Sequence, residues 1–424
     1  MNFCEEIKWR GLWHTASEGF EAHIAANRIS GYIGFDPTAS SLHVGSFLQI
    51  MLLVRLQRSG HTPIAIVGGG TGLIGDPSGR STERQLLTKE MTDANLQGIR
   101  KQLEPFLDFS AVSNAAKIIN NADWLVPIPM VDFMRDVGKH FTVNYMLAKD
   151  SVDRRIGSED GISFTEFSYM LLQAYDYLML AQHHDCTLQM GGSDQWGNIT
   201  AGIDLIRKVT GKHSHALVVP LITNASGAKF GKTEGGPIWL DPNRTSPYKL
   251  YQFWLNTSDA DVIKYLKYFT LLGRDEITAL GQRVDEAPES RDAQRKLAEE
   301  CTRMVHGEPA LAAAVQASRA LFGEDVTQLP ASDIADIFAD VPSKTITGDK
   351  LSAGVSVLDL MVESGIAPSK SEARRLIENG GFYLNNVRIG DPRLQVGSAN
   401  AIEGRFIVLR KGAKGYVLLS VDGA

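Results

Sequence analysis

Two short segments that lie far apart in the sequence carry side chains suited to chemistry on a phosphate-bearing ligand. The first segment is Pro37–Ser46. Its His43 and Gly45 lie at the start of an amphipathic helix that is predicted over Val44–Gln57. A histidine and a glycine backbone at a helix N-terminus form an anion site, because free N–H groups and the helix dipole point there. The second, Lys229–Thr233, is a glycine-hinged segment with two lysines and a hydroxyl, suited to closing over phosphates.

A polar stripe on another predicted helix forms a third candidate site. The helix is predicted from Phe164 to about Gln182, and Ser163 with Glu166 supplies a capping box at its start. Its polar face, spaced i, i+4 and i+7 among apolar residues, consists of Tyr169, Gln173 and Asp176. A carboxylate in apolar surroundings is costly unless it is paired. The residues alone leave two interpretations open, pairing with other protein groups or recognition of a ligand.

The elements that must position these residues alternate in type up to about residue 222. Strand-like apolar runs separated by helical patterns predict a parallel sheet covered on both faces, with ligands at the carboxyl ends of its strands. The strands are predicted at Tyr32–Phe35, Ile64–Val67, Thr187–Met190 and Leu217–Leu221. From about Ser246 to Phe322 the pattern is mostly helical. It includes Asp259–Phe269 and Arg291–Val305 and is followed by an acidic connector around a short helix, Asp333–Phe338.

The last segment, from residue 350 onward, is basic while the rest of the chain is acidic. It holds ten Lys and Arg against seven Asp and Glu, a charge of +3, so residues 1–349 carry −9 of the total −6. Ser369 and Glu372 predict a helix whose face carries Lys370 and Arg374. Phe382–Leu384 and Val387–Ile389 then predict a hairpin that turns at Asn385-Asn386. A small basic module on an acidic chain is a common arrangement for binding a phosphate backbone.

The bulk composition is that of an ordinary soluble protein of two or three domains. Cys4, Cys186 and Cys301 are odd in number and widely spaced in the 424 residues. That usage argues against a disulfide framework or a structural zinc site and favours a reducing cytoplasm. The most apolar stretch, Phe47–Leu56, is interrupted by polar residues and too short to span a bilayer, so no membrane segment is predicted.

Two familiar nucleotide motifs are matched only superficially. Gly70–Gly75 has the spacing G-x-G-x-x-G after a strand, but Asp76-Pro77 follows, so the helix should begin after the glycines and not within them. Gly231–Thr233 ends like a P-loop, but the earlier glycine that a P-loop needs is Ser226 in this chain. Neither a dinucleotide site nor a P-loop is predicted.

Together, the two phosphate-directed segments resemble the HIGH and KMSKS signatures of class I aminoacyl-tRNA synthetases. The chain as a whole is similar to bacterial-type tyrosyl-tRNA synthetases. Further segments match in order and spacing over nearly the whole chain, namely Gly34–Thr38, Gly68–Gly79, Asn121–Trp124, Gly138–His140, Gly161–Tyr169 and Gly191–Asn198.

The resemblance implies an α/β fold with a Rossmann-like parallel-sheet catalytic domain, followed by a helical domain and a small α+β RNA-binding domain. The catalytic domain, which binds nucleotide and tyrosine, is predicted over residues 1–230. Residues 231–330 would hold the KMSKS-like loop and a helical anticodon-region domain, residues 331–349 a linker, and residues 350–424 the RNA-binding domain.

The same resemblance implies a role for each candidate residue in a tyrosine pocket. Asp176 would accept a hydrogen bond from the substrate phenol while Tyr32 donates one to the same oxygen. The α-ammonium group would be held by Tyr169, Gln173 and Asp76. Two further residues, Asn121 and Gln195, would line the pocket.

For ATP, the resemblance implies that Thr38 and His43 bind the triphosphate, with Asp36 and Gly45 beside them. Asp194, after Gly191 and Gly192, would bind the ribose hydroxyls, although Asp at a strand-to-helix junction also serves as a helix N-cap. The cations that meet the phosphates would come from two segments, one with Lys229, Lys232 and Thr233 and the other with Arg80 and Arg84.

The implied reaction is positional, since the tyrosine carboxylate that attacks the α-phosphorus of ATP is already an anion. The tyrosyl group would then pass from the adenylate to tRNA(Tyr). Mg²⁺ would travel with ATP rather than occupy a protein site. A homodimer is implied as well, and no membrane partner.

One signature position departs from the family pattern, because Ser46 stands where HIGH ends in histidine. Our hypothesis is that water or Gln49, one turn on, replaces the lost nucleotide contact. Three alternatives are weighed against tyrosine activation: tryptophan activation, a nucleotidyltransferase of the same superfamily, and an RNA-binding protein without catalysis. Tyr32 and Asp176 suit a phenol better than an indole, and the other two leave the tail or the second signature unexplained.

Overall fold

The computed structural model describes residues 2–78, 87–157, 161–223, 230–233, 236–320, 325–339, 341–412 and 415–422. Two compact units divide the chain. The first comprises Met1–Asp241 and Thr257–Leu297, and the second Pro242–Asn256 and Ala298–Ala424. This division separates parts of the segment 231–330, which was predicted as one domain.

The first unit is built on a six-stranded sheet whose strands are parallel except at one edge. In spatial order the strands are Thr15–Ala16, His215–Val219, Cys186–Gly192, Ser30–Phe35, Thr62–Val67 and Lys117–Asn120. The inner strands are almost wholly buried apolar runs, as a sheet covered on both faces requires. The predicted α/β class and the four predicted strands are confirmed, and the two edge strands were not predicted.

Helices cover both faces of this sheet and carry the candidate residues. The longer ones are Val44–Arg58, Lys89–Leu103, Phe164–His183, Trp196–Thr210, Asp259–Phe269 and Arg274–Glu286. Shorter helices are Phe3–Trp9, Phe20–Ala26, Ala122–Leu125, Met130–Asp136, Val143–Leu147 and Asp150–Ile156, with 3₁₀ turns at Thr71–Leu73, Glu104–Phe106, Gly138–His140, Ser193–Gln195 and Pro288–Ser290. Lys232–Thr233 pairs with Gly236–Pro237 in a two-stranded ribbon.

We call Val44–Arg58 the site helix and Phe164–His183 the stripe helix; both begin where the sequence predicts. The side chain of Ser163 accepts from the backbone N–H of Glu166, as expected of an N-cap. The predicted reciprocal half of the capping box is wrong, because the Glu166 carboxylate instead accepts a 2.7 Å hydrogen bond from buried Arg155.

The prediction that the helix begins after the glycines of Gly70–Gly75 is confirmed. The run contains only a 3₁₀ turn, and the next helix that the structure describes begins at Lys89. All three cysteines are buried thiols outside any disulfide. Among the described residues no helix has the length and apolar character needed to cross a membrane.

The second unit combines helices with a five-stranded sheet. Its helices are Pro247–Leu255, most of Asp292–Ala320, Ala331–Ile337, Gly348–Ser352, Val357–Glu363 and Lys370–Glu378. The sheet strands, in spatial order, are Val387–Arg388, Phe382–Leu384, Phe406–Lys411, Gly415–Asp422 and Ser343–Thr347. A second ribbon pairs Val355–Ser356 with Gln395–Val396, and Ser398–Asn400 forms a 3₁₀ turn.

The predicted hairpin of the tail is confirmed, with Asn385 and Asn386 both left-handed at φ 49° and 63°. The strand Ser343–Thr347 pairs in parallel with Gly415–Asp422, so the tail's sheet begins upstream of residue 350. Side chains of the helical part and of this sheet also share one buried cluster, which includes Tyr248, Ala317, Ile334, Phe338, Val408 and Tyr416.

Candidate active site

A cleft of about 610 Å³ opens in the first unit at the carboxyl ends of the central strands. That volume lies within the usual range of small-molecule sites. The cleft brings the phosphate-directed segment and the polar stripe together. Its lining includes Tyr32, Asp36, Thr38, His43, Gly45, Asp76, Tyr169, Gln173, Asp176, Gly191, Gly192, Asp194 and Gln195. Arg80, Arg84 and Lys229 lie outside the described residues, and of Lys232 and Thr233 only the backbone is described.

His43 is the N-cap of the site helix, and its ring is held by the helix itself. Nδ1 of His43 accepts a 3.0 Å hydrogen bond from the backbone N–H of Gly45. The neutral imidazole therefore carries its proton on Nε2, where it serves as a donor. A Cβ at position 45 would lie 2.7 Å from Cε1 of His43, so only glycine admits this ring position.

The second phosphate-directed segment lies against the start of the site helix. Gly231 is left-handed at φ 78°, and a Cβ there would lie 2.7 Å from Cγ2 of Val44. The backbone N–H of Val44 donates to the carbonyl of Ile238 at 2.9 Å. Phe230, which lines the cleft, stacks on Phe269 with ring centroids 5.2 Å apart. Gly231 therefore packs against the start of the site helix, and Ile238 links the two segments through backbone hydrogen bonds to Val44 and to Gly231.

Asp194 occupies the 3₁₀ turn Ser193–Gln195 at the end of a central strand. The alternative that Asp194 is the helix N-cap is wrong, because Gln195 holds that position for Trp196–Thr210. A Cβ at Gly192 would lie 2.5 Å from Oδ1 of Asp194. The glycine therefore leaves space beside the carboxylate at the mouth of the cleft.

Asp176, at the opposite end, is a buried carboxylate held by neutral donors. Oδ2 accepts from Nδ2 of Asn121 at 2.9 Å, and Oδ1 accepts from Nε1 of Trp124 at 2.7 Å. Burial raises the pKa of Asp176 from 3.8 to about 7, although both hydrogen bonds favour the ionised form. The hydroxyl of Tyr32 is buried without a hydrogen-bond partner among the described residues. Burial is the main cause that raises the pKa of Tyr32 well above 10.0, and the charge of Asp176 is the second.

A hydrogen-bonded row connects Asp176 with Asp36, which lies toward the nucleotide end. Asn121 also donates through Nδ2 to the hydroxyl of Thr71 at 2.9 Å. The Thr71 hydroxyl donates to Oδ1 of Asp36 at 2.8 Å. Tyr169 donates to Oδ2 of Asp36 at 2.9 Å. The polar stripe is thus paired internally on one side and faces the cleft on the other.

A second row of amides ends at Asp76. Nε2 of Gln195 donates to Oδ2 of Asp76 at 2.7 Å, and Nε2 of Gln173 donates to Oε1 of Gln195 at 3.2 Å. Nδ2 of Asn198 donates to Oε1 of Gln173 at 3.1 Å. These hydrogen bonds hold Asn198, Gln173, Gln195 and Asp76 in one row that ends at the Asp76 carboxylate. A carboxylate held in this way is suited to binding a cationic group of a ligand.

Sequence reasoning missed the functional positions of Thr71 and Trp124. Trp124 lies in the segment Asn121–Trp124, which was singled out without a role for the indole. Thr71 lies within Gly68–Gly79, a segment that matches the family, but no role was predicted for its hydroxyl. The available signal for Thr71 was its position just after the predicted strand Ile64–Val67, where polar residues meet the cleft. Trp124 follows the edge strand Lys117–Asn120, which was not predicted.

Comparison with known proteins places this geometry in a family. The family described as tRNA synthetases class I (W and Y) matches residues 25–323, and the Tyrosine--tRNA ligase SYY-like C-terminal domain matches residues 333–419. A tyrosine–tRNA ligase of Roseiflexus castenholzii is 57% identical over 416 residues, covering 98% of both chains. One of Geobacillus stearothermophilus is 53% identical over 422 residues, covering 99% of both.

Solved structures agree with these sequence relatives. A C-terminally truncated mitochondrial tyrosyl-tRNA synthetase of Aspergillus nidulans superposes with a TM-score of 0.69 at 31% identity. The match covers 76% of this chain and 94% of that one. A tyrosyl-tRNA synthetase of Archaeoglobus fulgidus in complex with L-tyrosine shares the fold at 14% identity and a TM-score of 0.55.

Proposed function

The chain belongs to the class I tRNA synthetases of the tryptophan and tyrosine type, and from that premise we propose that it is a tyrosine–tRNA ligase. It activates L-tyrosine with ATP to tyrosyl-adenylate and pyrophosphate, then transfers tyrosine to the terminal adenosine of tRNA(Tyr). The observation that carries the choice of amino acid is Asp176, which accepts from Asn121 and Trp124. Beside it lies the hydroxyl of Tyr32, for which the described part of the chain supplies no hydrogen-bond partner.

A phenol fits this end of the cleft better than an indole or a phenyl ring does. Its O–H can donate to Asp176, and its oxygen can accept from Tyr32. An indole N–H could donate to the carboxylate but would leave the Tyr32 hydroxyl without an acceptor. A phenyl ring would give Asp176 no donor beyond Asn121 and Trp124 and would offer the Tyr32 hydroxyl no acceptor, and a buried polar group left without a partner costs about 1–3 kcal/mol.

The remaining tyrosine contacts are assigned to the amino end of the substrate. Asp76, fixed by Gln195, together with Gln173 and Tyr169, holds the α-ammonium group. The carboxylate of the substrate is then directed toward the start of the site helix. Because that carboxylate is already an anion, no protein base is needed, and the rate enhancement comes from orientation and from cations near the leaving group.

ATP lies between the start of the site helix and Asp194. Nε2–H of His43 and the Thr38 hydroxyl donate to the phosphates, while Asp36 and Gly45 lie beside them. Asp194 binds the ribose in the space that Gly191 and Gly192 leave. Lys229, Lys232 and Thr233, with Arg80 and Arg84, supply the cations and hydroxyl for the leaving pyrophosphate. Mg²⁺ arrives on the phosphates of ATP, as is usual for this ion.

Gln49 is assigned the contact that Ser46 is too short to make. Both residues line the cleft one helical turn apart. The side-chain oxygen of Gln49 is buried and has no hydrogen-bond partner among the described residues. An acceptor left in that state favours a ligand donor such as a ribose hydroxyl.

The active form is a homodimer. In the first unit, large apolar side chains between residues 126 and 164 are exposed to solvent, among them Met130 at 72%, Val131 at 75%, Val143 at 60% and Phe164 at 67%. So many exposed apolar residues in one stretch are unusual for a monomer and fit a self-complementary interface. Light scattering over a dilution series should give the dimer mass. Phe164→Glu should dissociate it, and a monomer throughout would refute the dimer.

The second unit supplies the RNA-binding surface. Lys370 and Arg374 are exposed on the helix Lys370–Glu378, and the guanidinium of Arg410 lies 3.7 Å over the ring of Tyr383. Exposed cations on one helix face are suited to tRNA phosphates. The three buried thiols, none in a disulfide, favour a reducing compartment, and we assign the chain to the cytoplasm on that basis.

Charging of tRNA(Tyr) with labelled tyrosine tests the whole proposal. The full chain should attach tyrosine to tRNA(Tyr) in an ATP-dependent reaction. The double variant Lys370→Ala, Arg374→Ala should charge more slowly at limiting tRNA yet form adenylate at the wild-type rate. Charging with another amino acid, or no charging at all, would refute the proposal.

A further inference from the structure

The row of hydrogen bonds between Asp36 and Asp176 has a fixed direction. Oδ1 of Asn121 accepts from the backbone N–H of Gly70 at 2.8 Å, which sets the orientation of the carboxamide. Nδ2 of Asn121 is therefore the donor both to Asp176 and to Thr71. A hydroxyl has one proton, so Thr71, which accepts from Asn121, gives its proton to Asp36.

Burial makes each of these bonds matter. Asn121 is 0% exposed, and Thr71 and Asp176 are each 3% exposed. A buried donor that loses its acceptor has no water to replace it, so its side chain turns toward another acceptor. The Thr71 hydroxyl bridges Asn121 and Asp36 in the row.

From this geometry we propose that Thr71 is a positioning residue that couples the nucleotide-side carboxylate Asp36 to recognition of the substrate phenol at Asp176. The inference rests on the proposed function and extends it. Asp36 holds the Thr71 hydroxyl in its accepting orientation toward Asn121. Asn121 is thereby kept in place to donate to Asp176, and Asp176 stays ready to accept the phenol O–H.

The consequence is a defect in selectivity from a residue outside the phenol contact. Thr71→Val keeps the shape of the side chain and removes the hydroxyl, so one N–H of Asn121 loses its acceptor. Asn121 then turns, and its donation to Asp176 weakens. Phenylalanine makes no hydrogen bond at Asp176, so its binding is unaffected by this loss. Thr71→Ser keeps the hydroxyl and should behave as the wild type.

Calorimetric titration of the full-length chain with tyrosine and with phenylalanine, without ATP, tests the coupling. Thr71→Val should reduce the ratio of tyrosine to phenylalanine affinity about tenfold, the effect of losing one hydrogen bond to a charged group. Thr71→Ser should stay within about twofold of the wild-type ratio. Thr71→Ala serves as a second variant with the same expected loss if Thr71→Val fails to fold.

Two results would overturn the inference while leaving the proposed function standing. An equal loss of affinity for both amino acids would mean that Thr71 affects only the binding of the groups that tyrosine and phenylalanine share, and not of the phenol hydroxyl. An unchanged ratio in Thr71→Val and Thr71→Ala would mean that Asn121 holds its position alone. A wild-type chain that bound both amino acids equally would overturn the proposed phenol recognition, and the coupling with it.

Discussion

The indole nitrogen of Trp124 lies 2.7 Å from Oδ1 of Asp176, so the carboxylate at the base of the cleft is held by a neutral donor. Asn121 supplies the second donor at 2.9 Å. Two N–H groups orient the carboxylate without adding a positive charge. The carboxylate therefore remains a strong acceptor toward the cleft, where we propose that the substrate phenol binds, and its ionisation is sensitive to pH.

Asp176 should make the stability of the ligand-free chain depend on pH. Burial raises the pKa of Asp176 from 3.8 to about 7. Between those values the native state keeps a proton that the unfolded chain has lost. The free energy of unfolding due to this group is therefore greatest at or below about pH 4 and falls as the pH rises toward 7. Asp176→Asn does not titrate, so the stability advantage of the wild type should shrink over that range.

Unfolding of both proteins in urea at several pH values measures this difference. Asp285→Asn, which changes an exposed carboxyl on the helix Arg274–Glu286, is the matched control for the loss of one carboxyl group. A wild-type advantage over Asp176→Asn that stayed constant with pH would contradict the raised pKa.

The ion pair between Arg155 and Glu166 should be costly to break. Its atoms lie 2.7 Å apart, and the two side chains are 3% and 2% exposed. Glu166→Gln removes the charge that Glu166 supplies to the buried guanidinium, so the first unit should lose about 3–5 kcal/mol in urea unfolding. Arg207→Ala breaks an exposed pair with Asp204 and should cost less than about 1 kcal/mol. Equal losses would show that burial of the first pair is energetically unimportant.

Gly231 should be needed for more than its backbone conformation. Gly231→Ala and Gly211→Ala both place a side chain at positive φ, at 78° and 71°, and each should lose about 1–2 kcal/mol of stability. Only at position 231 does the new Cβ meet another residue, Cγ2 of Val44 at 2.7 Å. Gly231→Ala should therefore also displace the start of the site helix and slow adenylate formation about tenfold.

Stopped-flow measurement of adenylate formation separates the two effects. Gly211→Ala should retain the wild-type rate. Adding Val44→Ala to Gly231→Ala removes the clash and should restore most of the rate. Equal rates in the two glycine variants would argue against contact between the two signature segments in the active chain.

Ser46 and Gln49 give a test of the altered signature. Losing one neutral hydrogen bond costs about 0.5–1.5 kcal/mol, a factor of roughly 2–13. Gln49→Met should raise KM for ATP by that factor and leave tyrosine binding unchanged. Gln57→Met, on the same helix but bonded to the loop at Asp108, should leave KM for ATP unchanged.

Ser46→His should form adenylate at an equal or greater rate, and a slower rate would show that Ser46 is itself adapted.

Regular patterns made much of the fold predictable. The stripe helix and Asp259–Phe269 were found because apolar residues recur at helical spacing, and the central strands because they are short apolar runs between turn residues. The edge strand Lys117–Asn120 was missed because it is short and only partly buried. Arg291–Val305 was predicted as a helix, but the structure continues it as Asp292–Ala320 across a break at Gly307, φ 81°, and past Pro309.

The site could be predicted only in part, for a physical reason. Spacing on one helix places Tyr169, Gln173 and Asp176 together, since they share a face. The partners of Asp176 are not on that helix, because Asn121 and Trp124 come from the segment after an edge strand. Contacts between acidic and amide side chains on different elements depend on the order of the strands in the sheet and on the path of the loops. The local sequence pattern contains neither piece of information.

Amino-acid-dependent exchange of pyrophosphate into ATP tests the central claim most directly. Tyrosine, phenylalanine and tryptophan are offered separately to the full-length wild-type chain. Exchange with tyrosine alone is predicted, because only a phenol can pair both Asp176 and Tyr32. Exchange with tryptophan, or none with any of the three, would contradict the assignment of this cleft to tyrosine activation.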